Sequence, residues 1–467
     1  MVNAKNMPST TRVGCSFGWV VAAIGFSTGA IEPGTFKSFG VFILPIQESL
    51  DCSISALGTA IAASHTACYV LVPLVNILTE KYGSRRLVML GGIIMFLSFL
   101  GISLATNIAV FSVFIVIWGM GVSLAYVPPI AAVIKYFPTN AALPISITTT
   151  GCAFGMMIYP PLTEALIEIY GWRETILIFA AFNANICVFG ALIKPPPPLY
   201  EALATPRQEM IPALSLSGDS KLNNVINVFK KAAKGFSKIV SLDVLLLEPI
   251  FTIYAFACFV LGIMYSAWMI YLVPHAVVRG IGNQRASLLS TAGGVGNLVG
   301  RIVYGPILHR GYIKPVQMFM LLACGNLGAF VLDPIVLDNY PGLVGLSSIN
   351  GLCLGVMAGM FILVSQQVLE GEIGDRAWGI LCVSFAVGEL AGGAFAGKVY
   401  FFGLFSVLRS GISTQGNYAI KSLIFTFVHD ILLLSVFILS FLVMYLQLRY
   451  TIFRLIWLLV SKRLKVF

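Results

Sequence analysis

Residues 17–46 read FGWVVAAIGFSTGAIEPGTFKSFGVFILPI, and the reading of this stretch decides the fold. It is apolar for about thirty residues, longer than a soluble core helix needs and long enough to cross a bilayer with tilt. Yet it holds Glu32 and Lys37 deep inside, among Gly25, Gly29, Pro33 and Gly34. A charge at the centre of a membrane helix costs about 2.5–3.5 kcal/mol on insertion scales, and more on an isolated helix. A helix that keeps two charges and loosens its backbone around them reads as the wall of a polar cavity. The alternative is that Lys37 snorkels to the headgroups and Glu32 pairs with it. Lys37 would then have to reach across roughly 14 Å of helix.

Outward from this stretch the composition is equally one-sided. The 467 residues are 58% hydrophobic and 10% charged, against about 25% charged in soluble domains. An all-α, polytopic membrane protein follows. A net charge of +10 would suggest a nucleic-acid partner in a soluble chain. Here it is sorted by side of the membrane, because Lys and Arg collect in cytoplasmic loops, and no nucleic-acid partner is expected. Nine cysteines without CxxC spacing argue against a disulfide framework and against a zinc site. No metal or cofactor is expected. The polar start, residues 1–12, has no cleavable signal pattern, so the first helix is expected to direct its own insertion. No Asn-x-Ser/Thr sequon occurs.

Apolar windows separated by polar breaks predict twelve spans. They lie near 17–43, 56–78, 87–105, 108–135, 144–168 and 174–193, then near 247–273, 285–308, 315–335, 342–367, 377–401 and 423–448. Between the two sets, residues 194–246 open on four prolines, Pro195 to Pro198, and carry Lys221, Lys230, Lys231, Lys234 and Lys238. Four prolines stop any helix, and the segment reads as a cytoplasmic linker. Residues 450–467 carry Arg454, Lys462, Arg463 and Lys465 among Ile, Trp and Leu, the pattern of a basic amphipathic helix on the inner leaflet. Lys81, Arg85, Arg86, Arg310 and Lys314 fall on the same side as linker and tail. The opposite loops hold few bases, chiefly Arg173, Arg279, Arg285, Arg409 and Lys421. Both termini are therefore expected in the cytoplasm, with residues 1–193 and 247–449 as two six-helix bundles.

The two halves echo each other. The loop after the second span reads NILTEKYGSRR, with Glu80, Lys81, Gly83, Arg85 and Arg86. The loop after the eighth reads GPILHRGYIK, with Gly305, Arg310, Gly311 and Lys314. The first resembles the major facilitator superfamily signature, with Asn76 in place of its first glycine. That resemblance implies two pseudo-symmetric six-helix bundles facing a central site, and a loop whose charges bridge helix ends in one of two conformations. Further stretches narrow the likeness: FGWVVAA and KSFGVF in the first span, then PPLTEALIEIYGWRETILIFAAF with GWR at Gly171 to Arg173, and Tyr136-Phe137 ahead of it. Both bundles resemble the monocarboxylate transporter family. The resemblance implies that its first-helix lysine is Lys37 and its eighth-helix arginine is Arg301, in GNLVGRIVYG. The chain also departs from the family. Pro138-Thr139-Asn140 replaces a basic run, Gly392 to Gly397 has lost two prolines, and the aspartate one turn before Arg301 is Asn297.

These residues define the expected chemistry. A guanidinium takes a carboxylate through two parallel hydrogen bonds and stays protonated, so Arg301 and Lys37 are candidate anion ligands. Asn297, at i−4 on the same face as Arg301, can hydrogen-bond but cannot titrate. Glu389 and Glu32 are the candidate proton or charge carriers, and Glu389 is equally readable as a structural partner of a buried base. His65, Gln366 and Gln367 are candidates for lining the path, and Phe361 for packing. Lys398 and His429-Asp430 read as interfacial. Four histidines and the absence of HExxH, Gly-x-Ser-x-Gly and phosphate-loop motifs leave no enzyme chemistry to argue for. The expectation is a plasma-membrane transporter of small organic anions, monocarboxylates above all. The alternatives are a uniporter of an amino-acid-like solute, as in other members of the family, and a channel or transport-dead sensor. Some members use a single-span accessory protein, and the resemblance allows one here.

Overall fold

In the computed structural model of the chain, the described residues are 9–137, 142–194, 249–336, 339–360, 364, 367 and 379–395. The expected linker beyond Lys194, the twelfth span, the basic tail, Pro138-Thr139-Asn140, Phe361, Gln366, Lys398 and His429-Asp430 lie outside them. Among the described residues the regular structure is helical throughout. The helices are α1 (Ser9–Leu50), α2 (Ile54–Tyr82), α3 (Ser84–Ser103), α4 (Ile108–Tyr136), α5 (Ala142–Tyr170), α6 (Trp172–Leu192), α7 (Pro249–Val278), α8 (Asn283–His309), α9 (Pro315–Val336), α10 (Tyr340–Gly359) and α11 (Gly379–Phe395). On length and apolar content alone, α2, α3, α4, α6, α7 over Phe251–Val277, and α10 can cross a membrane. Neither α1 nor α8 is in that set, and these are the helices of Lys37 and Arg301. Polar residues inside a membrane helix face protein or water.

Turn chemistry sets the helix ends. Gly83 between α2 and α3, Gly171 between α5 and α6, and Gly311 after α8 have φ of 83°, 84° and 71°, a region in which a side chain would be strained. The Asn107 side chain caps α4 by accepting the Val110 N–H at 2.9 Å, which satisfies one orphan donor of the first turn. α1 continues through Pro33 and Pro45 without a break, so the loosened backbone expected there does not occur. Its glycines serve packing instead. A methyl group added at Gly34 would stand 2.8 Å from the Tyr159 ring, and one at Gly25 would stand 2.5 Å from the Thr148 methyl.

The described parts of Met1–Asp51 and Ala63–Ser241 form one compact unit, and those of Cys52–Ala62 and Leu242–Phe467 form another. In the first, α1 packs chiefly on α5, and α3 on both α4 and α6. The other flank of α1 inserts Phe39 and Phe42 among Phe99, Phe111, Trp118 and Phe179, with ring centroids 5.9–6.5 Å apart. In the second unit α8 and α9 pack on α10, and α7 on α8. The start of α2 groups with this unit, where Ser55 Oγ donates to the Ala394 carbonyl at 3.2 Å.

An internal repeat is visible in the glycine contacts. Gly151 and Gly155 of α5 abut the carbonyl oxygens of Phe26 and Ala30, while Gly388 and Gly392 of α11 abut those of Phe259 and Ile263. One constant offset in residue number relates the two carbonyl pairs and another relates the two glycine pairs. The α1–α5 and α7–α11 contacts are thus two copies of one close-packed helix pair.

Candidate functional site

In the first unit the candidate residues lie on α1 and α2. Lys37 is fully buried, with 0% of its surface exposed, and this excludes the snorkelling alternative. Phe36 and Ser38 flank it. The Thr163 hydroxyl donates to Ser38 Oγ at 2.8 Å, and Phe36 stacks on the His65 ring at 4.0 Å with 13° between planes. His65 in turn meets the Glu32 carboxylate at 2.9 Å, from Nε2 to Oε1. Tyr69 closes edge-on against the same imidazole at 5.0 Å. Glu32 therefore has His65 for a partner, a residue that sequence reasoning placed only along a path. Glu32 and His65 are both titratable and both lie well inside apolar spans, but no spacing rule pairs residues that sit on different helices. A buried carboxylate calls for such a partner because leaving it unmatched is expensive.

In the second unit the candidate residues lie on α8 and α11. Asn297 is fully buried, and its Oδ1 accepts a hydrogen bond from Arg301 Nε at 2.7 Å. The i, i+4 spacing brings the two together as expected. Gly355 of α10 leaves room for the Asn297 amide, and a methyl group at Gly359 would stand 4.0 Å from Arg301 Nη1 and 3.9 Å from the Tyr304 hydroxyl. Small residues on α10 thus let a half-buried guanidinium and its amide lie flat against that helix. Glu389 is fully buried in α11. A methyl group at Gly262 of α7 would stand 3.0 Å from its backbone nitrogen, so the glutamate occupies the tight α7–α11 contact.

Other candidate residues resolve into local roles. Glu80, Lys81, Gly83, Arg85 and Arg86 are exposed at the α2–α3 turn, with Lys81 Nζ 5.2 Å from the Tyr82 ring. Gln367 accepts the Val316 N–H at 3.0 Å and so caps the start of α9. Arg173 of the GWR stretch donates to the carbonyls of Ser103 and Ala105 at 2.8 and 2.9 Å, and stacks on Trp172 at 4.3 Å. It satisfies the orphan carbonyls at the end of α3. Arg279 pairs with Asp333 across α7 and α9, at 2.7 Å from Nη2 to Oδ2 and 3.4 Å from Nη1 to Oδ1. The sequence reading treated Arg279 as an outer-loop base and missed this pair. No grouping of His, Cys, Asp and Glu that could hold a metal occurs among the described residues.

Comparison with known proteins bears on what this arrangement is for. The family model of the Major Facilitator Superfamily matches residues 17–393. Human monocarboxylate transporter 12 is 26% identical over 412 residues, covering 85% of this chain and 78% of that protein. Human monocarboxylate transporter 11 is 25% identical over 394 residues, covering 82% and 76%. Among solved structures, the nucleoside transporter NupG, as a D323A mutant, superposes with a TM-score of 0.68 at 13% identity, over 92% of this chain and 99% of its own. A bacterial homologue of the human lysosomal transporter Spinster, inward-facing and unoccupied, gives 0.64 at 12% identity over 94% and 98%. At such identities the structures speak for the fold alone.

Proposed function

Because the chain belongs to the Major Facilitator Superfamily and is a divergent relative of the monocarboxylate transporters, we propose that it carries small organic anions, monocarboxylates foremost, by alternating access. It is a multi-pass membrane transporter with a small-molecule substrate, and its fold and relatives are those of transporters rather than enzymes. Lys37 and Arg301 are the proposed cationic ligands of the carboxylate. The observation that carries this reading is the 2.7 Å bond from Arg301 Nε to Asn297 Oδ1. It holds the guanidinium through its inner nitrogen, and a planar guanidinium is the group that pairs with a carboxylate through two parallel hydrogen bonds. Asn297 is thus a positioning residue. The exposed Glu80–Arg86 turn is the proposed conformational switch. On the sorting of Lys and Arg we assign both termini and residues 194–246 to the cytoplasm, and the cell surface is the first membrane in which to test for the protein. A single-span accessory protein is the macromolecular partner to seek.

Uptake of labelled short monocarboxylates into cells expressing the chain tests the reading. Arg301→Lys keeps the charge and loses the fork, and Lys37→Ala removes a buried charge. Either change is expected to cost about 2–5 kcal/mol of substrate binding, so uptake collapses while surface delivery persists. Wild-type apparent affinity in either variant removes that residue from the site.

A further inference from the structure

A cavity lies within the second unit, at the Arg279 end of α7, and the proposed transport site does not account for it. Its volume is about 50 Å³, room for roughly four water-sized spheres. Most of its wall is apolar, with Leu272, Leu289, Leu346 and the ring of Trp268; Tyr271, Ser347 and Asn350 also line it, and His275, Arg279 and Asp333 supply its charged groups. Gly293 makes the space for Trp268, since a methyl group there would lie 2.5 Å from the indole. Leu289 and Arg301 are both on α8, separated by roughly 18 Å of helix, so this cavity is distinct from the Arg301 site.

The charged end is arranged for carboxylate exchange. Arg279 is 6% exposed and already holds one carboxylate, that of Asp333, but unevenly: one bond of the fork is 2.7 Å and the other 3.4 Å. The longer bond is beyond the usual range for N–H···O contacts. His275 Nε2 stands 3.6 Å from the same Asp333 Oδ2, too far for a hydrogen bond. Asp333 is thus held by one good bond although two cationic or donor groups flank it. Its side chain is 20% exposed against 6% for Arg279, so of the two partners it is Asp333 that has room to turn aside. An incoming carboxylate can take the fork that Asp333 leaves, with its alkyl chain along the leucines and Trp268.

We infer that this cavity is a second binding site, one that takes a short-chain monocarboxylate with its carboxylate on Arg279 and His275 and its alkyl chain against Trp268 and Leu289. Arg310 and Lys314 lie at the opposite end of α8, which puts the cavity on the non-cytoplasmic side by the sorting of basic residues. There it acts as an outer station that concentrates the acid ahead of the Arg301 site. The inference rests on the transport reading only for its choice of ligand.

The test is equilibrium binding of radiolabelled butyrate to the purified full-length chain in detergent. A Lys37→Ala, Arg301→Lys double variant silences the transport site. In that background one butyrate per chain is expected to remain bound. Adding Arg279→Gln should weaken it tenfold or more, the effect of losing a charged hydrogen-bond partner. Adding Asp333→Asn should tighten it several-fold, because a competing carboxylate is removed, and a misfolded variant cannot produce that gain. Binding to the wild type that vanishes in the double variant overturns the second site and leaves the transport reading intact. Binding that Asp333→Asn weakens as much as Arg279→Gln does overturns it as well, since the pair would then be only a structural tie. Binding that persists in the double variant, when the wild type shows no uptake, upholds the site and counts against the transport reading alone.

Discussion

Asn297 is the residue on which the energetics of transport turn. An aspartate at this position in the resembling family is placed to carry the proton that accompanies the anion. Asparagine at the same point keeps the hydrogen bond to Arg301 at 2.7 Å and has no proton to exchange in the accessible range. Uptake is therefore expected to run down the gradient of the substrate, with weak dependence on a proton gradient. With voltage clamped and an inward proton gradient imposed, the wild type should show no uphill accumulation, and Asn297→Asp should introduce some. Strong accumulation abolished by Glu389→Gln would contradict this and make Glu389 the proton carrier. Glu32 is the less direct substitute, because its carboxylate is already engaged by His65 at 2.9 Å. That engagement was not legible in the sequence: it joins two helices, and hydropathy and i, i+4 spacing report only on pairs within one. The Arg301–Asn297 bond was legible because it lies within a single helix.

At the scale of elements, the close-packed pairs hold the candidate residues in register. Gly151 and Gly155 bring α5 against the backbone of α1 on either side of Cys152, next to the segment that carries Glu32 and Lys37. Without a hydrophobic force between helices in lipid, such close approach is a main source of their association. Gly155→Ala drives a methyl group into the Ala30 carbonyl and is expected to destabilise by about 1–3 kcal/mol, seen as a lower unfolding temperature in detergent. The same substitution at Gly345, where nothing lies within 4 Å, should be neutral or stabilising by up to about 1 kcal/mol. Equal losses at both positions would rule out packing as the cause. The turns make a separate prediction. Gly83 has φ of 83° and open space around it, so Gly83→Val strains only the α2–α3 turn. Turnover should fall while substrate affinity stays near that of the wild type; lost affinity with normal turnover would remove the turn from the switch. The helices and the turn glycines were legible from hydropathy and the signature spacing. The continuity of α1 was not, since Gly29, Pro33 and Gly34 read locally as breakers, whereas the contact with α5 that retains them is tertiary.

For the whole molecule, the all-helical transporter fold was readable from composition and from the echo between the loops at Gly83 and Gly311. The residues that join helices within a bundle, Arg173 on the end of α3 and Arg279 on Asp333, were not. Both look like ordinary loop bases until the partner helix is in place. The central claim is that the chain moves monocarboxylates by alternating access through Lys37 and Arg301. Counterflow in proteoliposomes of the purified chain tests it most directly. Vesicles preloaded with unlabelled butyrate are diluted into a trace of labelled butyrate, with no ion gradient imposed. The expected result is a transient overshoot of label in wild-type vesicles, absent in Arg301→Lys and in Lys37→Ala. Label that only equilibrates, without overshoot and without any difference between wild type and the two variants, would contradict the account.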